Sequence, residues 1–548
     1  MKRIISFVLI AAMVLMAAGC SGTTDGTAAE TTAAATQGET AAETVEETEA
    51  AASDMECDIV IVGAGGAGLT AALQAVENGA ENVIIVEKMS MTGGNSVRST
   101  GGMNAAKTPN QDANEFAENA GVEATLQSAA EDYADNADIT ALAETVQAQY
   151  DEYLANPEGY FDSVELFELD TLIGGHGLNN VELVKALAEN SADAIVWLRE
   201  SQGADLSQVG QFGGASVKRI HKPVDEEGKT LSVGSYLIPI LTANCNESEN
   251  IQILFETPAT EIIMENGAAV GVVVNDGENE FNIHAGAVVL ASGGFGGNNE
   301  MVAQYKPEYD GYITTNAPGI DGDGIVMGEA VGAATVDMDQ IQLHPTVNPD
   351  TSALITEGLR GDGAILVNTN GERFIDEVGT RDVVSAAEFA QPGQMAYLIV
   401  DQAMVDASSV IAGYIKQGLT VSGETYEELA ETLGIDPATF AETMNTWNGY
   451  VEAGEDPDFG RVSFANPLNT APYYAIAVTP GVHHTMGGLE INTNAEVLST
   501  EGEVIPGLYA AGEVTGGVHG SNRLGGNAVA DFVVFGRIAG ASAQAYVG

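Results

Sequence analysis

The stretch from Cys57 to Lys88, CDIVIVGAGGAGLTAALQAVENGAENVIIVEK, decides the fold of this chain. It reads as an apolar strand, a glycine-rich turn, a helical segment with Ala and Leu on one face, and a second apolar strand that ends at Glu87. The hydrophobic period changes from strand to helix to strand within about 30 residues, which is the pattern of a βαβ unit. The sequence therefore predicts an α/β fold of the Rossmann-like type.

The glycine-rich turn carries the pattern GxGxxG between Gly63 and Gly68. The first glycine permits a tight turn, the second lets the backbone approach a pyrophosphate, and the third lets the helix pack close to the strand. The helix N-terminus presents free N–H groups to phosphates, and Glu87 is placed to accept hydrogen bonds from a ribose diol. We therefore predict a dinucleotide site, the alternative being a glycine turn that only serves packing.

The segment that follows, KMSMTGGNSVRSTGGMNAA from Lys88, has paired glycines at 93–94 and 101–102 around Asn95 and Ser96. Such a stretch lets the backbone lie against a long, flat cofactor beyond its pyrophosphate. That favours FAD over NAD, because the isoalloxazine ring has to be cradled inside the protein.

Length and charge limit the classes of function. The 548 residues are enough for two or more domains. Lys and Arg number 19 against 79 Asp and Glu, and the net charge of −60 repels nucleic acid and anionic membrane surfaces. We expect no nucleic-acid partner, and an anionic substrate needs a local basic cluster. The alternative, which we favour for the charge as a whole, is that it only keeps an exported protein soluble.

The N-terminal residues have the pattern of an export signal. Lys2 and Arg3 precede an apolar run from Ile4 to Met16, which is short for a membrane span. The four residues that end at Cys20, AAGC, resemble a bacterial lipobox. We predict a lipoprotein signal peptide over 1–19 and a lipidated Cys20 that anchors the protein to the outer face of the cell membrane. Ordinary cleavage or a buried cysteine would fit the same residues.

Residues 20–54 are rich in Thr, Ala and Glu and predict a disordered tether, because they cannot bury enough apolar surface to fold. The two remaining cysteines, Cys57 and Cys245, are far apart and have no CxxC spacing. This argues against a disulfide framework and against a zinc or iron–sulfur site, so no metal is expected.

The remaining chain divides into glycine-rich parts and a mixed part. We predict a FAD-binding domain from residues 55–338 and 483–548, with an α+β capping domain, 339–482, inserted between them. Helices are predicted over Thr425–Leu433 and Asp436–Ala453 inside the capping part.

Ten motifs extend through nearly the whole mature chain in one order. They are VGAGGAG, TGGNS, GGASVKRIHKP, LASGGFGGNNE, IQLHPT, TEGLRGDGAILVN, TRDVVSAA, TPGVHHTMGG, IPGLYAAGEVTGGVHGSNRLGGNA and FGRIAG. In these motifs and their spacing the chain from about Met55 resembles the flavoproteins of the fumarate reductase and succinate dehydrogenase family, in particular the soluble flavocytochrome c fumarate reductases. The resemblance implies reduction of the C=C bond of fumarate or a similar unsaturated carboxylate.

Such a reaction places hydride from reduced flavin N5 on one alkene carbon and a proton on the other. It requires fixed cations and donors around a dianion and an acid that reaches carbon. In the resemblance, Arg381 is the proton donor, and Glu357 with Arg360 reprotonates it. The implied substrate-binding residues are His344, Thr356, Glu357, His483, Arg523 and Gly526.

The resemblance also implies a set of FAD-binding residues, of which Glu87 and the glycines are supported independently by the patterns above. Lys88–Gly102 contains no histidine, so we expect the FAD to be non-covalent. The implied residues are Gly63, Gly65, Gly66, Ala67, Gly68, Glu87, Asn95, Ser96, Gly101, Gly102, Ala259, Asp323, His484, Glu513, Ala528 and Val529.

Two departures from the family pattern change the expectations. The chain has no CxxCH haem motif and no recognisable flavinylation stretch, so electrons are expected from a separate cytochrome, an FMN-carrying protein or a quinol-linked system. Gln211-Phe212 stands where a methionine is expected, which leaves a urocanate- or cinnamate-type reductase as the alternative. Less favoured are a ketosteroid dehydrogenase, which would need tyrosines, and a non-enzymatic electron-transfer flavoprotein.

The adjacent pair His483-His484 connects the two halves of the predicted site. Neighbouring side chains on an extended backbone point to opposite sides. We therefore predict that His483 faces the substrate carboxylate and that His484 faces the flavin.

Overall fold

The computed structural model describes residues 53–114, 121–461, 464 and 466–548. The predicted signal peptide, Cys20 and almost all of the predicted tether lie outside the described residues. Within the described ranges, no helix is both long enough and apolar enough to cross a membrane.

The described part of the chain forms eighteen strands and sixteen α-helices, with 3-10 turns at Ser96–Arg98, Pro307–Tyr309 and Pro392–Gln394. The strands are β1 (Met55–Val62), β2 (Val83–Val86), β3 (Met103–Asn104), β4 (Gln208–Gly210), β5 (Ile220–Lys222), β6 (Ile251–Leu254), β7 (Ala259–Glu265), β8 (Ala268–Asn275), β9 (Glu280–Leu290), β10 (Thr335–Val336), β11 (Ile341–Val347), β12 (Ile365–Val367), β13 (Ala396–Asp401), β14 (Thr420–Gly423), β15 (Tyr473–Thr485), β16 (Gly488–Leu489), β17 (Glu496–Leu498) and β18 (Val504–Ala510). The helices are α1 (Gly66–Glu77), α2 (Pro109–Ala113), α3 (Gly121–Asp132), α4 (Ala137–Ala155), α5 (Val164–Gly174), α6 (Val181–Glu200), α7 (Val233–Glu247), α8 (Asn299–Tyr305), α9 (Asp323–Ala330), α10 (Gly358–Gly361), α11 (Arg381–Phe389), α12 (Gln402–Ala407), α13 (Ser409–Lys416), α14 (Tyr426–Leu433), α15 (Pro437–Ala453) and α16 (Asn527–Val547).

The largest sheet has the order β17-β18-β9-β1-β2-β6, with β7 and β8 attached beside β9. Strands β18, β9, β1, β2 and β6 are parallel, whereas β17, β7 and β8 pair antiparallel. Helix α1 connects β1 to β2 and packs against α16 and α7. The predicted βαβ unit and the Rossmann-type parallel sheet are therefore confirmed.

The apolar runs of β1 and β2 explain why this sheet is central. Ile59 and Ile61 of β1 and Ile85 of β2 are completely buried, as expected for parallel strands that are covered on both faces. Gly68 lets α1 approach β1 closely, since a Cβ atom at this position would lie 1.9 Å from the carbonyl oxygen of Gly63. The third glycine of the motif is thus required by helix–strand packing, as predicted.

A second sheet joins β11, β15, β13, β12 and β14, and all of its pairings are antiparallel. Helices α14 and α15 cover it, each one residue from its predicted start because the cap residues Thr425 and Asp436 accept hydrogen bonds from the first turn. This α+β part has its own apolar clusters, around Val400 and around Trp447. The predicted fold class is confirmed; the domain limits stay a prediction, and the limit after residue 482 lies inside β15.

Candidate active site

A cavity of about 970 Å³ opens at the ends of β1 and β2 and reaches β11 and β15 of the second sheet. Of the predicted catalytic, substrate-binding and cofactor-binding residues, only Gly68 and Arg360 are absent from its wall. Gly68 packs α1 onto β1, and Arg360 lies buried directly behind the wall residue Glu357. The fold therefore brings the predicted cofactor and substrate residues to one cavity.

The glycine turn forms the end of the cavity at which α1 begins. Gly63 has a φ of +107°, and a Cβ there would meet the carbonyl oxygen of Ala291 at 2.5 Å. The N–H of Gly66 donates to the hydroxyl of Ser96 over 3.1 Å. This geometry exposes the N-terminus of a long helix beside bare backbone, which is the site that a pyrophosphate needs.

Glu87 follows β2 directly and is held by two backbone donors. Its Oε2 accepts from the N–H of Ala64 and its Oε1 from the N–H of Met89, both over 2.8 Å. The carboxylate is thereby fixed at the cavity wall, where a ribose hydroxyl would find it. Asp323, farther along the wall, forms an ion pair of 2.8 Å with Lys88.

The wall beyond the predicted pyrophosphate position is polar and buried. Asn95 accepts from the N–H of Ala317 over 2.9 Å and donates to Glu513 over 3.3 Å. Nδ1 of His484 lies 3.3 Å from Glu513, and burial raises the pKa of that carboxyl. Nε2 of His484 is buried and has no hydrogen-bond partner among the described residues. The cavity thus has a wall of glycine backbone and one buried ring nitrogen, Nε2 of His484, that lacks a hydrogen-bond partner within the described ranges. A bound FAD would fit this wall and could supply that partner.

His344 and His483 face each other on the neighbouring strands β11 and β15, with ring centroids 4.9 Å apart. Nδ1 of His344 accepts from the N–H of Thr346 over 3.2 Å, so its Nε2 carries the proton of the neutral ring. Nδ1 of His483 lies 2.7 Å from the hydroxyl of Thr315. Burial and the charge of Arg381 hold the pKa of both imidazoles well below the usual value. Both rings are therefore neutral hydrogen-bonding groups at neutral pH.

A β-bulge lies at the histidine pair. Gln342 is paired with His484 and the next residue, Leu343, with Val482, so His483 has no partner across the ladder. The ring of His483 meets His344, while the ring of His484 lies beside Glu513 and 5.5 Å from the His519 ring. The two adjacent rings thus contact different halves of the cavity wall.

Arg381, Glu357 and Arg360 form a buried charge cluster. Nε and Nη2 of Arg381 lie 2.7 Å and 2.6 Å from Oε2 of Glu357, and Nη2 of Arg360 lies 3.6 Å from Oε1. Burial alone would raise the pKa of Glu357, but the charges of Arg381 and Arg360 hold it below the usual value. Burial lowers the pKa of Arg360. The cluster therefore has two cations for one carboxylate, and its surplus positive charge suits an anionic ligand.

Arg523 and Thr356 complete this end of the cavity. Nη1 of Arg523 donates to the carbonyl of Leu524 over 3.0 Å, and its Nε has no partner among the described residues. Burial and the charge of Arg381 lower the pKa of Arg523 to about 9. The N–H of Thr356 donates to the Tyr414 hydroxyl over 2.9 Å, and the threonine hydroxyl accepts from the N–H of Gly358 over 3.3 Å; Thr356 lines the cavity. A dianion bound here would raise the pKa of Arg523 toward its usual value.

Two residues of the site were not predicted. Gln342 accepts from Nη1 of Arg381 over 2.8 Å and donates to the carbonyl of Arg523 over 2.8 Å, so it connects the two arginines. The sequence does indicate Gln342, because residues two apart on a strand share a face and Gln342 stands two residues before the predicted site residue His344. Thr315 lies in a loop between α9 and the preceding 3-10 turn, and nothing in its local sequence indicates contact with His483.

Comparison with known proteins places these features in one family. The FAD binding domain family matches this chain over residues 58–161 and 153–529. The NADH:fumarate oxidoreductase of Klebsiella pneumoniae (strain 342) is 42% identical over 89% of this chain, and the match spans 48% of that protein, about half its length. The fumarate reductase (cytochrome) of Shewanella frigidimarina is 41% identical over 91% of this chain and 78% of its own.

A solved structure gives the same assignment. The open conformation of a flavocytochrome c3 fumarate reductase superimposes with a TM-score of 0.69 at 40% identity, covering 90% of this chain and 79% of that one. FAD is therefore the cofactor for which the glycine turn and the cavity are built. With its Rossmann-type sheet, its FAD cavity and these relatives, the chain belongs to the fumarate reductase and succinate dehydrogenase flavoprotein family.

Proposed function

We propose that this protein reduces the C=C bond of fumarate or a similar unsaturated carboxylate. The observation that carries the proposal is the buried Arg381–Glu357 ion pair at the cavity wall, with Arg523 and two neutral imidazoles beside it. A site with fixed cations, neutral N–H donors and one guanidinium already bonded to a carboxylate suits a dicarboxylate that must be polarised and protonated.

The residues of this chain have separate roles in binding substrate and in moving the proton. When bound, FAD supplies the hydride for one alkene carbon. His483 and Arg523 hold one substrate carboxylate, and His344 with Thr356 holds the other, so the double bond is fixed against the cofactor half of the cavity.

Arg381 delivers the proton to the second alkene carbon. A guanidinium normally has a pKa above about 12 and is a poor acid. Here its Nε and Nη2 already contact Glu357, so a proton that leaves Arg381 is replaced over a distance of 2.6 to 2.7 Å. Closure of the second sheet and its loops over the cavity would exclude water from this step.

An aromatic enoate is the second candidate substrate. Phe212 lines the cavity, and a Cβ at Gly101 or Gly525 would lie 2.8 Å or 2.6 Å from its ring, so the absence of a side chain at both glycines makes room for the ring. An aromatic wall favours a flat ring beside the carboxylate, as in urocanate or a cinnamate.

A panel of enoates tests the reaction and its substrate together. FAD-loaded protein would be supplied with reduced viologen, and oxidation of the viologen would be followed with fumarate, acrylate, urocanate and cinnamates. The highest kcat/KM with fumarate supports the dicarboxylate assignment. A higher value with urocanate or a cinnamate moves the assignment to the aromatic enoate, and no oxidation with any of them contradicts the proposed reaction.

Three further properties complete the proposed function. We infer that the FAD is non-covalent, since Lys88–Gly102 lacks a histidine, and flavin remaining on acid-precipitated protein would contradict this. Electrons come from a separate cytochrome, FMN-carrying or quinol-linked donor, because the chain carries no CxxCH motif.

The third property is export and anchoring through lipidated Cys20, supported by the apolar segment and the AAGC sequence. Labelling of cells with a fatty acid should mark the protein and leave the Cys20→Ser variant unmarked. Label in both proteins, or in neither, would contradict the anchor.

A further inference from the structure

One face of α11 carries a line of polar side chains that starts at the active site. Arg381, Ser385 and Glu388 stand at positions i, i+4 and i+7, which bring them to the same face of the helix. All three are buried, whereas Asp382 and Val383 between them are exposed. At a rise of about 1.5 Å per residue the line is about 10 Å long.

The inner groups of this line have no partners to explain their burial. The hydroxyl of Ser385 and both carboxyl oxygens of Glu388 lack hydrogen-bond partners among the described residues, and Glu388 is completely inaccessible. The charged group with the largest effect on Glu388 is Arg360. Its Nε and Nη2 have no hydrogen-bond partner among the described residues, although Nη2 lies 3.6 Å from Glu357 in an ion pair. Burial raises the pKa of Glu388 well above its usual value, against smaller opposing effects of Arg360 and the backbone of Ala396, and so favours the protonated form of this carboxyl.

The far end of the line is followed in sequence by exposed residues. Glu388 lies in the last turn of α11, and the residues that follow, 390–394, are exposed or half-buried. In contrast, Glu357, Arg360 and Arg381 are each at most 7% exposed in their side chains. When substrate and cofactor fill the cavity, the cluster has no open route to bulk water on that side. Protons therefore need another way in.

We propose that Glu388 is the proton-holding residue that refills the Arg360–Glu357 pair during turnover, while ligands fill the cavity, through the Ser385 hydroxyl and buried water. Unpaired buried polar groups commonly bind such water. This inference rests on the proposed function, because it concerns the supply of the proton that Arg381 delivers.

The proton steps balance without any co-reactant. The O–H bond of Glu388 breaks, the proton crosses to a carboxylate oxygen of Glu357, and the electron pair stays on Glu388. Glu357 passes the proton to Arg381, and Glu388 regains one from water at the 390–394 surface. Arg360 stays cationic and stabilises Glu388 while it is transiently ionised.

The test is turnover of FAD-loaded Glu388→Gln, which keeps the shape of the side chain and loses its acid proton. Reduced viologen and saturating fumarate, or the best enoate of the panel, would be used across the neutral and alkaline range. We expect kcat to fall roughly tenfold, below the full contribution of a general acid because cavity water remains a slow source. KM should not change, since no contact to substrate is lost.

Two variants and one control make the result specific. Ser385→Ala should lower kcat less than Glu388→Gln, and Glu388→Asp should restore part of the rate. Glu168→Gln is the matched control, since Glu168 of α5 is also buried, has a pKa raised to about 7, and lies away from the cavity wall. It should leave kcat unchanged.

The outcomes separate this inference from the proposed function. Wild-type protein that reduces no enoate contradicts the proposed function itself. An active wild type with Glu388→Gln equal to it in kcat at every pH overturns the role of Glu388. If Glu388→Gln fails to fold or to bind FAD, Ser385→Ala decides: a normal kcat and pH profile overturns the route, and a lowered kcat with unchanged KM supports it.

Discussion

The glycine turn after β1 and the charge cluster around Glu357 line the same cavity, but the chain builds them in different ways. The turn and Glu87 come from one βαβ unit of about 30 residues, and each atom is positioned by backbone geometry. The cluster and the side chains beside it come from β11, α10, α11, β15 and the loop before α16. Local backbone constraints leave a strong pattern in the sequence, whereas a side-chain constellation assembled across the fold leaves only isolated residues.

Substitutions in the two regions should have different effects. A substitution in the glycine turn should lower both stability and cofactor binding, because the same atoms serve packing and phosphate contact. Damage to the cluster should cost turnover while the folded, FAD-loaded protein persists. The experiments below are ordered by the size of the effect that we expect.

Arg381→Lys should have the largest effect, a loss of roughly 10²- to 10⁴-fold in enoate reduction. An ammonium group lacks the planar fork that lets Arg381 hold Glu357 and Gln342 at the same time. Viologen oxidation measures turnover, and the visible spectrum measures bound FAD. Arg537→Lys, at a partly exposed arginine paired with Asp193, is the control and should behave as wild type. Unchanged turnover in Arg381→Lys would remove Arg381 from the donor role.

Gly68→Ala tests the local region. The new methyl group would overlap the carbonyl oxygen of Gly63, where a Cβ lies only 1.9 Å away, so we expect about 1–3 kcal/mol or more of lost stability together with lost FAD. Urea unfolding and flavin content measure both. In Gly449→Ala, at a glycine inside α15 with no atom within 4 Å of the added Cβ, stability should be unchanged or rise by up to about 1 kcal/mol. A Gly68→Ala protein as stable as wild type would show that the tight packing is dispensable.

How far the sequence predicts each region follows from this difference. The βαβ unit, the glycine roles, Glu87 and the capped helices α14 and α15 follow from periodicity and turn chemistry, and the structure confirms the elements. Alternation on β11 should have found Gln342 as well. The bulge that isolates His483 and the contact of Thr315 with that ring depend on how two distant segments meet, so no local pattern indicates them.

Without the family resemblance, the cluster residues would not have been selected from the sequence. Arg381, Glu357 and Arg360 are ordinary surface-type residues in composition, and only the fold buries them together. The same limit applies to Glu388. A glutamate near a helix end is typical of a solvated position, and its burial depends on how α11 packs against the second sheet.

His483→Ala and His484→Ala sharpen the boundary between the two regions. Loss of a hydrogen bond to a charged group costs about 1.5–3 kcal/mol, so we expect His483→Ala to lower kcat/KM by roughly 10- to 150-fold, mainly through KM. We expect His484→Ala to shift the flavin spectrum or lower FAD occupancy with a smaller change in KM, because its ring contacts Glu513 and not His344. If both variants lose the same property to the same degree, His483 and His484 do not have separate roles in substrate and flavin binding.

The smallest expected effect is the pH dependence of stability in Glu388→Gln. The pKa of Glu388 is raised in the folded state, so the wild type gains stability from protonated Glu388 below the unfolded pKa of about 4.3 and loses it as pH rises toward the folded pKa. Glutamine does not titrate. The free energy of unfolding of the variant relative to wild type should therefore rise with pH, and urea unfolding at a series of pH values measures this difference.

Glu168→Gln is the reference for the pH dependence of the difference in unfolding free energy between variant and wild type. Burial raises the pKa of Glu168 to about 7, so its difference from wild type should rise from about pH 4.3 and level off near neutrality. Each variant replaces one acidic residue by a neutral one in a chain of formal net charge −60, so the change in formal charge is the same. If Glu388 stores a proton at neutral pH, as proposed, the Glu388→Gln difference should not level off at lower pH than the Glu168→Gln difference. A curve that levels off at lower pH than the Glu168→Gln curve would mean that Glu388 is ionised at neutral pH and cannot store the proton that the cluster needs.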